Sequence, residues 1–596
     1  MAGEIEDRGE AQVHWLVAGQ FGLGARGKTL TLNRADFNEA LEKRGLKVEA
    51  SIPDSVGSGD SISVSLAIDS LKVLTLKHVV SAVPELKELA GKADKLASLR
   101  DPSVDDVRGI LGEGKLFDAA RKLLEGDEAS DAPKADAGEA TGDPDAIFEK
   151  AKVQEKTAKS AISMFVKATS SAKKKAKPSA RALRDMVEEA TWAMARDVLS
   201  SPEVQAVEAA WRGVRFLVMQ CPKDAQMDVV LLETDPEHMV EDIANRERGE
   251  DIDEPECIFV TFEADSTEPL VELADMAEGE LIPVVVGVSP SLFGCASPQE
   301  IPDAFDALEH ARNEDVPDWA KAWDELRMRE STRWLCAVAN RVAFQSEGSG
   351  VAARTCFGSG VWGVATMFAR SYAASGGFAH IFGKTGSVSA PATHMIKEGR
   401  YADTAAPTEA FYAIAPADLL AKNGILGLGS AKNSDAIVLA KSPCVRGAKD
   451  AVPLPAQILT GRIVRFSTWV KAQLPEGCNS ATANDIFMSA ASVFLFPGQQ
   501  EWAHVRAAVT NIEGEAHVVV HSRANPKVAS IPLDISFPLP LHWSVPAPTD
   551  DGPSEAPKPS AGAAASVKAA EAPKKDDGGG IASVGLGFDV GLDKKE

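Results

Sequence analysis

Apolar residues recur at three- and four-residue spacing most clearly in residues 203–234, and the rest of the chain is arranged around that stretch. Val204, Val207, Trp211, Val214 and Val218 share one face of a predicted helix. Ser200, Ser201 and Pro202 stand just before it and favour a helix start. Cys221-Pro222-Lys223-Asp224 breaks the pattern, and Asp228 to Glu233 reads as a buried strand. Trp211 carries the largest apolar surface of this helix and is the expected keystone between the helical chain before it and the α/β chain after it.

Taken in order, residues 12–18 read as a strand that enters Gly22-Leu23-Gly24-Ala25-Arg26-Gly27-Lys28-Thr29. That loop satisfies the phosphate-cradling pattern GxxxxGK[ST], with Gly22, Gly27, Lys28 and Thr29 at its defining positions, and also GxGxxG. Both mechanisms need a helix to begin at the end of the loop, because its first amides hold the phosphate. Here Thr29 to Arg34 alternates like a strand and the helix comes only at Asp36 to Leu41, so the expected structure is a hairpin and the motif a decoy. A turn at Asp54 to Asp60 leads to an alternating strand through Ile62, Val64, Leu66 and Ile68, and Leu71 to Lys77 reads as a second strand. Leu86, Leu89, Ala93 and Leu96 form the stripe of a helix opening at Val83-Pro84, and another helix covers Phe117 to Leu124.

Residues 125–145 are acidic and nearly without apolar side chains, as a linker would be. A helix from Ala146 to about Val166 carries the short apolar cluster Ile147, Phe148, Ala151 and Val153. Cys257 to Phe262, the helix Glu268 to Glu278 and Ile282 to Val288 make a strand–helix–strand unit with nearly continuous apolar strands, the pattern of a parallel layer covered on both faces. Three further strands fall between Val505 and Pro540, with His517 and His521 on one face. Residues 546–580 are a Pro/Ala/Ser/Asp/Lys tether, and 581–596 hold an apolar peptide suited to docking as an added strand. The predicted class is α/β: a small β-rich domain over 1–124, the linker, and a larger α/β domain over 146–545 with a terminal β-layer.

Composition narrows the function. The 596 residues hold 63 basic and 87 acidic side chains, a formal charge of −24, which speaks against a nucleic-acid binder. The seven scattered cysteines include no CxxC pair and read as reduced structural thiols. Met1 to Glu10 has no apolar run and Leu281 to Val288 is too short to span a bilayer, so no signal peptide and no membrane insertion are expected, and the location expected is cytoplasmic. Neither HExxH nor GxSxG nor a paired Cys/His cluster is present, so no catalytic residue, metal or cofactor is expected.

Particular wording adds a resemblance. Asp197-Val198-Leu199, Ser201-Pro202-Glu203-Val204-Gln205 and Glu208-Ala209-Ala210-Trp211-Arg212-Gly213-Val214 resemble the segment leading into the core of the large sheath subunit of type VI secretion systems. Ser289 to Gly294, Ser331-Thr332-Arg333-Trp334-Leu335, Asn340-Arg341-Val342, the helix start Val361-Trp362-Gly363-Val364-Ala365, Pro407-Thr408-Glu409 and Asn423-Gly424-Ile425-Leu426 follow in that family's order, and make Trp362 a second core keystone. One departure stands out: where the family often has an aromatic-glycine loop after Asn340-Arg341, this chain has Gln345-Ser346-Glu347-Gly348-Ser349-Gly350. The element order over about 12–124, with the Val83-Pro84-Glu85-Leu86 helix, is similar to the small sheath subunit of the same systems.

The resemblance implies two subunits fused in one chain, forming a contractile helical sheath around an inner-tube protein and meeting baseplate components. It also implies that a ClpV-type AAA+ ATPase could recognise the helix bearing Ile147, Phe148, Ala151 and Val153. Strands shared between protomers are expected at Val13, Trp15 and Val17 and at Val518 and Val520, as exposed edges add readily to neighbouring sheets. Two alternatives remain: a nucleotide-dependent enzyme using Lys28 and Thr29, and a non-contractile scaffold of the same fold.

Overall fold

The computed structural model describes residues 13–57, 59–125, 180–221, 227–249, 253–310, 312, 315–397, 399–449 and 451–543, with the short strand 568–569. Expectations placed on the linker, on the helix with Ile147, Phe148, Ala151 and Val153, and on the peptide 581–596 lie outside these residues. By compactness the chain forms two units. The first comprises Met1–Phe37, Gly213–Phe344 and Phe357–Glu596, and the second Asn38–Arg212 and Gln345–Cys356. These units do not follow the linear division into residues 1–124 and 146–545, because the first strands of the chain build into the sheet of the large domain.

In chain order, β1 (Val13–Gly19) and β2 (Thr29–Leu32) precede α1 (Phe37–Arg44), whose entry is shaped by Asn33 Oδ1 accepting from the amides of Ala35 and Asp36. In the second unit, β3 (Leu46–Pro53) and β4 (Ser61–Ile68) form an antiparallel pair that buries Ala50 and Ile52 on one strand and Val64, Leu66 and Ile68 on the other. The Asp54 carboxylate closes their connection by accepting from the amides of Val56, Gly57 and Gly59. Leu71 to Lys77 is not a strand: turns and bends over residues 69–75 lead straight into α2 (Leu76–Ala82). The short apolar alternation of this stretch satisfies a turn and a helix start as well as a strand.

α3 (Pro84–Ala97) buries the predicted stripe Leu86, Leu89, Ala93 and Leu96 and packs against α6 (Ala180–Ser200); α4 (Val104–Leu111) and α5 (Lys115–Glu125) lie between them in sequence. Trp211 is fully buried on α7 (Pro202–Gln220).

The first unit is built on β5 (Met227–Glu233), α8 (Met239–Ala244), β6 (Cys257–Ala264), α9 (Glu268–Glu280), β7 (Val284–Val288), α10 (Ile301–Glu309), α11 (Asp318–Met328) and β8 (Leu335–Ala339). β9 (Val342–Glu347) and β10 (Arg354–Gly358) make a two-stranded sheet, followed by α12 (Val361–Ser375), α13 (Ile414–Lys422) and β11 (Ile425–Gly427). The main sheet has seven strands in the order β11-β8-β7-β6-β1-β5-β2. All neighbours are parallel except β2, which runs antiparallel to β5. β1 lies inside this sheet, with Trp15 opposite Val229 of β5 on one side and Cys257 of β6 on the other. Trp15 packs in an aromatic cluster with Phe259, Phe368 and Phe378.

The terminal layer has α14 (Leu454–Ala472), α15 (Ser480–Ala490) and the antiparallel strands β12 (Ala503–Ile512), β13 (Glu515–Ala524), β14 (Leu533–Pro540) and β15 (Lys568–Ala569), hydrogen-bonded in that order. Its core joins Leu459, Ile463, Phe466 and Val470 of α14 to Val518 and Val520 of β13.

Candidate functional site: the glycine loop and the assembly strands

Gly22, Gly24 and Gly27 all take positive φ, so the loop after β1 is built on backbone that other residues resist. It is not a hairpin. β5 lies between β1 and β2 in the sheet, and the loop carries the chain across its end. No helix follows: Thr29 opens β2, opposite Leu232. The loop's amides do converge on an anion, but the anion belongs to the chain. Glu233 Oε2 accepts from the N–H of Phe21 at 3.0 Å and of Leu23 at 2.9 Å. The Glu233 backbone brackets the loop as well, its carbonyl accepting from Gly27 and its amide donating to Lys28. Arg26 reaches Glu241 and Asp242, while the Lys28 side chain is exposed. A phosphate here would have to displace a carboxylate already held by two amides and would meet its charge.

The predicted assembly strands are placed differently from the expectation. Val13, Trp15 and Val17 are fully buried on β1, which is paired along both edges; Val518 and Val520 are fully buried on β13, also paired on both edges. Neither strand offers an edge to a neighbour. The physical sign was present in the sequence, since unbroken apolar runs (Trp15-Leu16-Val17-Ala18 and Val518-Val519-Val520) mark strands covered on both faces. Edge strands among the described residues are β2 and β11 in the main sheet and β12 and β15 in the terminal sheet. His521 Nε2–H donates to the Asp534 carboxylate at 2.7 Å, and Asp534 also accepts from Arg523; His517 meets the Glu515 carbonyl. Burial and these partners together leave the Asp534 carboxyl below its ordinary value, the His521 and Arg523 hydrogen bonds outweighing desolvation.

Trp362 is buried on α12, and its indole lies so close to Gly213 that a Cβ there would fall 2.2 Å from the ring. Among the described residues the seven cysteines are free thiols; burial pushes Cys221 and Cys444 up to about 12 and Cys257 and Cys336 well above the ordinary thiol value.

The cluster that sequence reasoning missed lies in the second unit. Glu208 on α7 is fully buried and takes a two-pronged contact from Arg354, at 2.7 and 2.9 Å, together with Arg212 at 2.7 Å. Arg354 also donates to Glu347 and to the Leu199 carbonyl, Arg212 donates to the Leu74 carbonyl, and Glu347 accepts from the Leu76 amide. Burial works against the charge on Arg354, but Glu208 and Glu347 outweigh it and raise its pKa. The Gln345 to Gly350 segment, where the chain departs from the family pattern, therefore has a defined structural role, because Glu347 joins the start of α2 to Arg354. Gly348 follows with φ of +76°, and a Cβ there would strike the Ala352 carbonyl. Only Arg212, four residues from Glu208 on the same helix, could have signalled this cluster in the sequence.

Two family models match the chain. Residues 24–110 match the model described as Type VI secretion system, VipA, VC_A0107 or Hcp2, and residues 258–446 match that described as EvpB/VC_A0108, tail sheath N-terminal domain. No curated protein matches the chain. Among solved structures, the chain is similar at 10% identity to the sheath complex of the PVC extracellular contractile injection system in its contracted state, with TM-score 0.32 over 52% of this chain and 75% of that one. It is similar at 10% identity to the anti-feeding prophage baseplate, with TM-score 0.29 over 59% and 81%, and at 9% to the contracted helical sheath of that prophage, with TM-score 0.26 over 50% and 71%. At such scores these likenesses add no weight to the two family models.

In one polypeptide the chain thus carries a segment of the small-sheath-subunit family and a segment of the large-sheath-subunit family of type VI secretion systems, and the two segments are interleaved. β2, from the small-subunit segment, pairs with β5 in the large sheet, while Glu347, from the large-subunit segment, holds Leu76 of the small one.

Proposed function

We propose that this chain is the repeating protomer of a contractile type VI secretion sheath, polymerising helically around an inner tube and contracting to propel it. The observation that carries this reading is the occurrence of segments of both sheath subunits in one chain, with β2 of the small-subunit segment paired into the large sheet and Glu347 of the large-subunit segment accepting from the Leu76 amide of the small one. Fusion sets their stoichiometry at one to one, and the shared elements give each protomer a stiff core from which contraction can move neighbours. The role is mechanical, with no catalytic residue. In support, the amides of the glycine loop are already committed to Glu233.

Protomers would join through free edges such as β12 and β2 rather than through β1 or β13. By analogy with the family we place the assembly in the cytoplasm, with baseplate components at one end and a ClpV-type ATPase acting at the segment with Ile147, Phe148, Ala151 and Val153; Phe148→Asp should abolish capture by that ATPase, and undiminished capture would remove the assignment. No helix among the described residues is long and apolar enough to cross a membrane. Sedimentation of the purified full chain with and without its candidate tube protein tests the main reading: pelleting polymer is expected, and a chain that stays in the supernatant under both conditions overturns it.

A further inference from the structure

A cavity of about 450 Å³ opens in the first unit, between the end of α13, the segment after residue 440 and Ser530-Ile531. Four cationic side chains line it, Arg327, Lys422, Lys441 and Arg446, and among the described residues no acidic one does, in a chain whose net charge is −24. The acids nearby bind from outside the lining: Asp324 lies 3.7 Å from Arg327, Asp418 3.2 Å from Lys441 and Glu330 3.4 Å from Arg446. The two arginines are fixed from behind. Arg327 donates to the carbonyls of Lys422 and Val445, and Arg446 to that of Arg329. Burial pushes the Arg327 guanidinium below its ordinary value, with Asp324 offsetting part of the effect.

Two hydroxyls sharpen the picture. Ser442, which is 2% exposed, and Ser530 both line the cavity, and the Oγ of each is buried with no hydrogen-bond partner among the described residues. A buried hydroxyl left unpaired costs about 1–3 kcal/mol, so an orphan pair facing a cationic cavity calls for an acceptor. The remaining wall is apolar, with Phe382 and Ile531 among its side chains. We propose that this cavity binds a small organic phosphate, its oxyanion held by Lys422, Lys441 and the arginines with Ser442 donating, and its organic part against the apolar wall. Its volume lies in the ordinary range for a small-molecule site. The site shares no lining residue with the glycine loop.

The test uses the full chain, with pyrophosphate as the probe, in equilibrium dialysis and thermal unfolding at low salt. One saturable site and a rise in Tm are expected, both lost in Lys422→Gln/Lys441→Gln, whose exposed side chains leave the fold intact. Ser442→Ala separates binding from structure: removing the orphan hydroxyl should leave the unliganded Tm unchanged or raised while the pyrophosphate-induced rise shrinks. Absence of saturable binding, binding undiminished in the double variant, or citrate competing as well as pyrophosphate would each overturn the phosphate assignment.

Discussion

The glycine loop and the Glu208 cluster are each built around one carboxylate, yet they differ in what surrounds it and in how readable they were. Glu233 is half-buried and takes two backbone amides, donors that carry no net charge. Glu208 is wholly buried and answers two guanidinium groups. The first site advertised itself through a nucleotide motif and holds no nucleotide-binding geometry. The second, which ties the two sheath segments together, carries no motif at all. Motifs report local chain geometry; here the interactions that define the protomer join residues up to 271 positions apart.

That contrast can be broken at several points, in descending order of effect. Glu208→Ala leaves Arg354 and Arg212 buried with no carboxylate between them and should cost about 3–5 kcal/mol in chemical denaturation. Adding Arg354→Leu should cost less than the sum of the separate changes, since the pair acts as one unit; full additivity would deny the cluster. Gly213→Ala drives a methyl group into the Trp362 indole and should destabilise by about 1–3 kcal/mol, read as a lower Tm. Glu233→Gln keeps an acceptor for the loop but loses its charge, so a loss of roughly 1 kcal/mol is expected. Lys28→Ala should shift stability by no more than about 0.5 kcal/mol and leave polymer formation unchanged, since that side chain is exposed. A large loss of assembly would restore the loop as a functional element.

A pH dependence follows from Glu263. Burial raises its carboxyl above the ordinary 4.5, with Arg341 opposing and Glu409 reinforcing the shift. A carboxyl with a raised folded pKa favours the fold in its protonated form. Its contribution is therefore fully present below about pH 4.5 and is lost as pH rises through the folded pKa. Glu263→Gln should accordingly stabilise the chain at neutral pH, and denaturation midpoints should show that gain vanish below about pH 4.5.

Much of the fold was legible because its signals are local and periodic. The α3 stripe is buried at Leu86, Leu89, Ala93 and Leu96 as its spacing requires, and the parallel unit β6-α9-β7 follows from continuous apolar strands around an amphipathic helix. Leu71 to Lys77 failed because a few alternating residues cannot separate a strand from a turn entering a helix. β1 and β2 were read as a hairpin because strand–glycine turn–strand is most simply closed locally; the parallel strand that separates them comes from residues 227–233. The Trp15 indole is buried with its N–H unpartnered among the described residues, a feature no pattern of apolar positions contains. Family wording was readable in linear order, whereas the interleaving of the two subunits arises only in three dimensions.

The central claim, that this 63.0 kDa chain serves as a sheath protomer, is tested most directly by negative-stain electron microscopy of the purified chain with its candidate tube protein. Hollow tubes or cogwheel-edged filaments assembled from this chain as the sole sheath component are the predicted result. Monodisperse particles of single-chain size, unchanged by the tube protein, would contradict it.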